Sequence, residues 1–230
     1  MSKNMAKDSN YNNEIEQELK QDQTEKPKLS SKQIERIASW AVLVAIIVGI
    51  IASLSFCFGP KYTYVEMDFG DFGKIVLKID ERNAPVTAQR FLDLVKDGFY
   101  DGTTIFRAQK DFVIQGGKDV SGSIPSIKGE FESNGKKNKI SHTRGVISMA
   151  RLSGADSATT QFLITLSDKA AESLDGNYAA FGYVVEGMKV VDDIADCLND
   201  HKIDLEGFVP DKDSIKIVSA RILKNYKEHK

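Results

Sequence analysis

The sequence predicts a mainly β domain, a closed antiparallel barrel capped by two α-helices, preceded by a disordered tail and one transmembrane helix. Three observations support this fold class: a polar first segment, an uncharged apolar run, and then many short strand patterns interrupted by two amphipathic helical patterns. With 230 residues, the chain is long enough for one well-buried domain and an appendage.

Residues 1–36 are rich in Asn, Gln, Lys and Glu and contain almost no aromatic or β-branched side chains. Such a segment cannot bury enough apolar surface to offset the entropy lost on ordering. It is therefore predicted to be a disordered polar tail.

Residues 37–60 carry no charge, and Arg36 and Lys61 flank them. About 20 apolar residues suffice to cross the hydrocarbon core of a bilayer, and Trp40 stands where an interfacial ring is common. We therefore predict a transmembrane helix over residues 37–60. Lys and Arg are more frequent before the helix than after it, which favours a cytoplasmic N-terminus and an extracytoplasmic C-terminal domain over residues 61–230.

Two processing alternatives remain for this run. Residues 53–55 form a small-x-small site that suits a cleaved signal peptide, although the polar segment before it is unusually long. Acylation at Cys57 would make a lipoprotein, but Phe56 is too large for the position before a lipoprotein cysteine. We favour an uncleaved signal anchor, and hence a single-pass protein of the cell membrane.

Strand and helix signals fill the remainder of the chain. Residues 65–69 and 75–79 alternate apolar and polar positions, which predicts a β-hairpin. One helix is predicted from Pro85 to a stop at Gly98, and a second around residues 188–195. Further strands are predicted around residues 103–108, 112–115, 145–151, 161–165, 180–185 and 215–223. Residues 118–144 form a long loop insertion, and long loops in compact domains are often functional.

Composition excludes several classes of function. The formal net charge of −2 is evenly spread, so no nucleic-acid footprint is expected. Cys57 and Cys197 do not form a disulfide framework, and the three histidines lack metal-ligand spacing. No metal and no cofactor are predicted.

The most informative pair of polar residues is Arg107 and Gln115, which lie on either side of the apolar residues 112–114. A guanidinium presents a rigid fork of donors and keeps its charge. Beside a dry pocket, it suits a reaction that needs polarisation more than a nucleophile or a proton carrier.

Five motifs make the chain resemble a bacterial-type cyclophilin. They occupy residues 100–104, 112–117, 142–151, 160–162 and 174–182, in the order typical of that family, within about residues 62–224. The resemblance implies a peptidyl-prolyl cis/trans isomerase on an eight-stranded barrel with two capping helices, and a cyclophilin-like isomerase domain over residues 61–230.

The resemblance also implies a site. Arg107 would donate to the prolyl nitrogen or its neighbourhood, and Gln115 would orient the guanidinium. The implied substrate-binding residues are Phe112, Val113, Ala150, Arg151, Gln161, Leu163, Leu174 and Tyr178. The expected partners are unfolded or proline-containing polypeptides, bound by a monomeric catalytic domain that needs no cofactor.

Three positions depart from the family pattern: Phe106 replaces a common His, Val113 a frequent Met, and Leu163 the usual second Phe. An altered substrate preference is therefore expected.

Two alternative functions belong to other classes of protein. One is a non-catalytic proline-recognition or holdase module tethered to the membrane. The other is a solute-binding lipoprotein, which would require acylation of Cys57.

Overall fold

A computed structural model of the chain describes residues 30–58, 62–200 and 206–228; for residues 51–58 it describes the backbone only. The chain divides between Gly59 and Pro60 into two units. Most of the predicted disordered tail, residues 1–29, lies outside the described residues.

In the first unit, the described residues form a long helix, α1, over Ser31–Phe58. Its segment Ser31–Ile50 is long and apolar enough to cross a membrane, and the large apolar side chains along it are exposed, Trp40 by 67%. The helix begins six residues before the predicted span, so residues 31–36 of the predicted tail are helical. The local reason is a capping interaction, because the Ser30 N–H donates to Gln33 Oε1 at 3.0 Å.

The second unit is built on one antiparallel sheet of nine strands, in the order β8-β3-β4-β6-β5-β7-β2-β1-β9. The strands are β1 Tyr62–Asp68, β2 Lys74–Asp80, β3 Thr104–Gln109, β4 Val113–Gly116, β5 Val146–Met149, β6 Phe162–Thr165, β7 Ala179–Glu186, β8 Ile215–Lys216 and β9 Ser219–Leu223. Three helices accompany them in the described part of this unit: α2 Pro85–Lys96, α3 Ala171–Leu174 and α4 Met188–Asn199.

The nine strands replace the eight-stranded closed barrel that was predicted, and the difference lies in the last strand. Residues 215–223, predicted as one strand, form β8 and β9 with Ile217 and Val218 between them. At these two residues the chain changes its neighbour in the sheet from β3 to β1. The Ile217 N–H donates to Thr103 O, and the Val218 N–H donates to Asp68 O, both at 2.8 Å. The two edges of the sheet are thus consecutive in the chain.

The predicted hairpin and both predicted helices are confirmed. In the β1–β2 register, Val65 pairs with Leu77 and Met67 with Ile75, and all four side chains are fully buried. The same core takes Phe91 and neighbouring residues from α2 and Val191, Ile194 and Leu198 from α4. The short helix α3 was not predicted.

The long loop over residues 118–144 is fixed by buried polar contacts. Glu130 is only 5% exposed, and its carboxylate accepts the Thr87 N–H at 2.8 Å, in the first turn of α2. A carboxylate at a helix N-terminus satisfies a free backbone donor and complements the helix dipole. Asn138 Nδ2 donates to Glu130 O and to Ala180 O at 3.0 and 2.9 Å, which ties the loop to β7.

Candidate active site

A β-bulge in β3 brings two consecutive side chains to the same face of the sheet. Ile105 pairs with Gly116 and Arg107 with Gln115, so Phe106 is the extra residue. Ile105 and Ala108 both lie in the core, although strict alternation would place them on opposite faces. The bulge resolves this conflict and leaves Phe106 and Arg107 outside the core.

The Arg107 guanidinium is held by three hydrogen bonds. Nε donates to Glu206 O at 2.7 Å, one Nη to Gln115 Oε1 at 3.0 Å, and the other Nη to Gln109 Oε1 at 2.9 Å. The Phe208 ring lies against the guanidinium, with its centroid 5.3 Å from Cζ. Of the five N–H bonds of an arginine, one on each Nη therefore has no acceptor among the described residues.

The strand register places Arg107 and Gln115 in one row with the apolar residue Leu163. Arg107 pairs with Gln115, Gln115 with Leu163, and Leu163 with Ser148, so one row crosses β3, β4, β6 and β5. Gln115 also donates through Nε2 to Gln161 Oε1 at 2.9 Å. Gln115 thus connects the arginine to the residue before β6.

A cleft of about 1010 Å³ opens beside Arg107 and Gln115, at one end of this row. Five of the predicted site residues line it: Arg107, Gln115, Ala150, Arg151 and Gln161. The Ala150 N–H is already engaged with Gln161 O at 2.9 Å. Because this N–H is already satisfied within the protein, a substrate chain would bind other backbone groups.

The other five predicted site residues belong to a small apolar cluster separate from the main core, which we call the socket. The socket has seven members, the five predicted residues together with Ala150 and Ala170: Phe112, Val113, Ala150, Leu163, Ala170, Leu174 and Tyr178. Val113, Leu163 and Leu174 are nearly or fully buried, whereas Phe112 and Tyr178 are only half-buried. Ala150 belongs to both the socket and the cleft lining, so the two predicted groups adjoin.

The Arg151 side chain packs against its own surroundings. Its guanidinium lies 4.7 Å from the Tyr178 ring centroid and 5.1 Å from that of Phe131. Nε donates to Asn177 O at 2.9 Å and Nη1 to Leu152 O at 2.9 Å. This side chain fixes the loop over residues 150–153 rather than pointing freely into the cleft.

Sequence reasoning missed three residues that contact Arg107: Gln109, Glu206 and Phe208. Glu206 contributes a backbone carbonyl, which the sequence does not mark. Gln109 sits two residues after Arg107 and shares its side of β3, so alternation could have indicated it. The run Gly-Phe-Val-Pro at residues 207–210 was the available signal for an ordered loop.

One acidic residue of the cleft lining is held in its ionised form. Hydrogen bonds from Arg221 and from the Ala220 N–H lower the pKa of Asp101, and the Arg221 contacts are bidentate at 2.8 and 2.6 Å. Asp101 therefore anchors β9 to the turn after α2 and is not available as a proton donor near neutral pH.

Comparison with known proteins places this architecture in a family. The model of the cyclophilin type peptidyl-prolyl cis-trans isomerase/CLD family matches residues 64–222. Peptidyl-prolyl cis-trans isomerase A of Dickeya dadantii is 41% identical over 160 residues, which cover 66% of this chain and 80% of that protein. A peptidyl-prolyl cis-trans isomerase of Acinetobacter baylyi is 37% identical over 163 residues, covering 70% and 85% of the two chains.

Solved structures agree with the fold. A cyclophilin type peptidyl-prolyl cis-trans isomerase of Cryptosporidium parvum superposes with a TM-score of 0.59 at 22% identity, covering 72% of this chain and all of that one. The same Cryptosporidium protein, crystallised in the presence of the dipeptide Ala-Pro, gives a TM-score of 0.58 at 23% identity, covering 70% and 99% of the chains. The fold and the cleft thus define a cyclophilin-type protein.

The chain belongs to the cyclophilin-type peptidyl-prolyl cis-trans isomerase family. Family membership and the names of its bacterial relatives support isomerase activity.

Proposed function

We propose that the cleft accelerates rotation about X-Pro peptide bonds, with Arg107 stabilising the twisted amide. The observation that carries this proposal is the Arg107 guanidinium, fixed by three hydrogen bonds while one N–H on each Nη stays without an acceptor among the described residues. A fixed, permanently charged donor near an apolar cluster can donate a hydrogen bond to the nitrogen of a twisted X-Pro amide.

The physical demand of the reaction matches such a donor. Resonance makes the peptide C–N bond partly double, with a rotation barrier of about 18–20 kcal/mol. In the twisted state this resonance is lost and the prolyl nitrogen becomes pyramidal and a better acceptor. Removing about 4 kcal/mol from the barrier gives a thousandfold acceleration. Charge-assisted hydrogen bonds from a preorganised donor can supply that amount.

The socket is the proposed site for the proline ring. Its floor, Val113, Leu163 and Leu174, is apolar and buried, and Phe112 and Tyr178 stand half-buried at its open side. A ring without polar atoms gains free energy when it leaves water for such a surface. The Cryptosporidium protein of the same fold was crystallised in the presence of Ala-Pro, which supports proline-containing peptides as the class of ligand.

The proposed substrates are unfolded or newly exported chains met at the cell membrane. Helix α1 would remain as an uncleaved signal anchor, with the N-terminus in the cytoplasm and the isomerase domain outside it. The uncharged apolar run that begins at residue 37 within α1, and the excess of Lys and Arg before residue 37, support this orientation.

The test replaces Arg107 by Lys in the full-length chain, which keeps the charge and removes the fork of donors. We expect a loss of about a hundredfold or more in the rate of X-Pro exchange, measured by NMR exchange spectroscopy on a proline peptide in detergent. Arg90→Lys is the matched control, since Arg90 lies on α2 and donates to Pro125 O. Its exchange rate should equal that of the wild type.

Two outcomes would contradict the proposal. Full activity in Arg107→Lys would remove Arg107 from the mechanism. Peptide binding by the wild type without any exchange above the uncatalysed rate would instead identify a non-catalytic proline-recognition module.

A further inference from the structure

The segment over residues 206–209 continues the edge of β3 beyond its pairing with β8. The Ala108 N–H donates to Gly207 O at 2.9 Å and the Val209 N–H to Phe106 O at 3.0 Å, and Phe208 forms an isolated bridge with Arg107. Gly207 has a φ of +86°, and a Cβ there would lie 2.5 Å from Ala108 O. The segment therefore docks closely, and only glycine fits at its second position.

One aromatic ring lies against the arginine, and a second ring stacks on the first. Phe106, the bulge residue, stacks on Phe208 with centroids 6.0 Å apart and an interplanar angle of 12°. Phe208 in turn places its ring 5.3 Å from Arg107 Cζ. Phe106 is buried, and Val209, the residue after Phe208, packs in the main core, so the stack has a buried base and the chain next to Phe208 is anchored.

Two of the three hydrogen bonds that hold the guanidinium end on the side chains of Gln109 and Gln115, so a further contact on the face of the guanidinium adds to their restraint. An aromatic face opposes tilting of the guanidinium plane, and the attraction of a cation to the ring strengthens as water is excluded. The Nε donor is also directed by this segment, since its acceptor is Glu206 O. The segment thus acts on the arginine through both a carbonyl and a ring.

We propose that Phe208 is a positioning residue for Arg107: it holds the guanidinium in the orientation that catalysis requires, and Phe106 supports it from behind. This inference rests on the proposed role of Arg107. This role explains why Phe106 stands where the family commonly has His, because an apolar ring at that position stacks on Phe208.

The experiment compares Phe208→Leu with Phe208→Tyr in the full-length chain in detergent. Leucine keeps apolar bulk but removes the ring face, whereas tyrosine keeps the ring. We expect Phe208→Leu to lower kcat about tenfold with KM changed less than about twofold, and Phe208→Tyr to retain kcat within about twofold. Phe72→Leu is the control, because Phe72 is a half-buried ring packed on the core outside the cleft, and it should leave kcat unchanged.

A spectroscopic measurement follows the arginine directly. The Arg107 Nε–H signal in ¹⁵N NMR, assigned by its loss in Arg107→Lys, should exchange slowly with water in the wild type and in Phe208→Tyr, and about tenfold faster in Phe208→Leu. Wild-type kcat and unchanged Nε–H exchange in Phe208→Leu would overturn the proposal. Equal losses in both Phe208 variants, accompanied by a lower melting temperature, would also overturn it, since they indicate a structural role.

These results separate the two proposals. If Arg107→Lys is inactive while Phe208→Leu behaves as the wild type, only the role of Phe208 fails. If Arg107→Lys is fully active, the proposed role of Arg107 fails as well.

Discussion

At the scale of single residues, His142 is a titratable group buried between two hydrogen-bonding side chains. The ring is 1% exposed, with Nδ1 2.7 Å from Asp175 Oδ1 and Nε2 2.9 Å from Ser148 Oγ. The arrangement has the order of a catalytic triad, yet Ser148 is fully buried and no substrate can reach its hydroxyl. The group therefore contributes to stability.

The pH dependence of stability follows from this burial. Desolvation lowers the pKa of His142 from its usual 6.5, against the opposing effect of Asp175. The unfolded chain then binds the proton more tightly than the folded chain, so acid favours unfolding. We expect the free energy of unfolding, from urea titrations, to fall as the pH drops below 6.5 and on through the pKa of the folded state.

NMR titration of the wild-type imidazole provides a direct check of that direction. An apparent pKa above 6.5 for His142 would contradict the prediction. His142→Gln is the matched variant, and its stability should depend less on pH in the same range.

The residue scale also shows what a sequence can reveal about a site. Five residues named from the sequence line one cleft: Arg107, Gln115, Ala150, Arg151 and Gln161. All of them except Arg107 lie within the short motifs at residues 112–117, 142–151 and 160–162, which is why a sequence can mark them. Glu206 and Phe208 were missed, since they lie about 100 residues from Arg107 along the chain and reach it only through the docking of a loop. The side-chain role of Arg151 was equally invisible, because its partners Phe131 and Tyr178 come from separate loops.

At the scale of elements, alternation predicted the hairpin and most strands, but it could not predict where strands break or bulge. The bulge at Phe106 depends on which residues of β4 pair with β3, which is a property of the pair. The division of residues 215–223 into β8 and β9 depends on two different partner strands, β3 and β1. Helix α3 has four residues, too few to show a helical period.

Close strand contacts give a stability prediction at this scale. A Cβ on Gly182, in β7, would lie 2.3 Å from Lys78 O and 3.2 Å from Ile79 Cα, both backbone atoms of β2. Because a central strand cannot move away from its neighbours, we expect Gly182→Ala to reduce the free energy of unfolding by roughly 3 kcal/mol. Urea denaturation followed by circular dichroism measures this change.

Gly154→Ala is the matched control, since its Cβ would meet only Ser157 atoms at 3.6 and 3.9 Å. Its stability should stay within about 0.5 kcal/mol of the wild type. If Gly182→Ala changes the free energy of unfolding as little as this control does, β2 and β7 tolerate the extra methyl group and the prediction is wrong.

At the scale of the whole molecule, an isomerase domain follows a helix that suits a membrane. Helix α1 has 28 residues, or about 42 Å at 1.5 Å per residue, against a hydrocarbon core of about 30 Å. Its described large apolar side chains are 46–67% exposed, as expected for a helix that meets lipid. A tether of this kind would keep the cleft near chains that emerge at the membrane surface.

The tether predicts that the full-length protein stays in the membrane pellet after alkaline extraction. An arginine near the centre of a spanning helix costs about 3 kcal/mol, so Ile47→Arg with Val48→Arg should move the chain into the soluble fraction. Val86→Arg with Val218→Arg adds the same charge at two exposed sites of the isomerase domain, and this control should remain in the pellet.

Mass spectrometry of the mature N-terminus separates a retained anchor from its alternatives. An uncleaved anchor leaves residues before Ser55 in the mature chain, whereas a signal peptide cleaved after that residue, or an acylated Cys57, would remove them. Release of the wild type by alkali, or a mature chain that begins at Phe56 or Cys57 near the end of α1, would contradict the anchor. A retained and alkali-resistant chain whose domain is digested by protease added to intact cells would place the cleft outside the cytoplasm, where exported proline-containing chains are still unfolded.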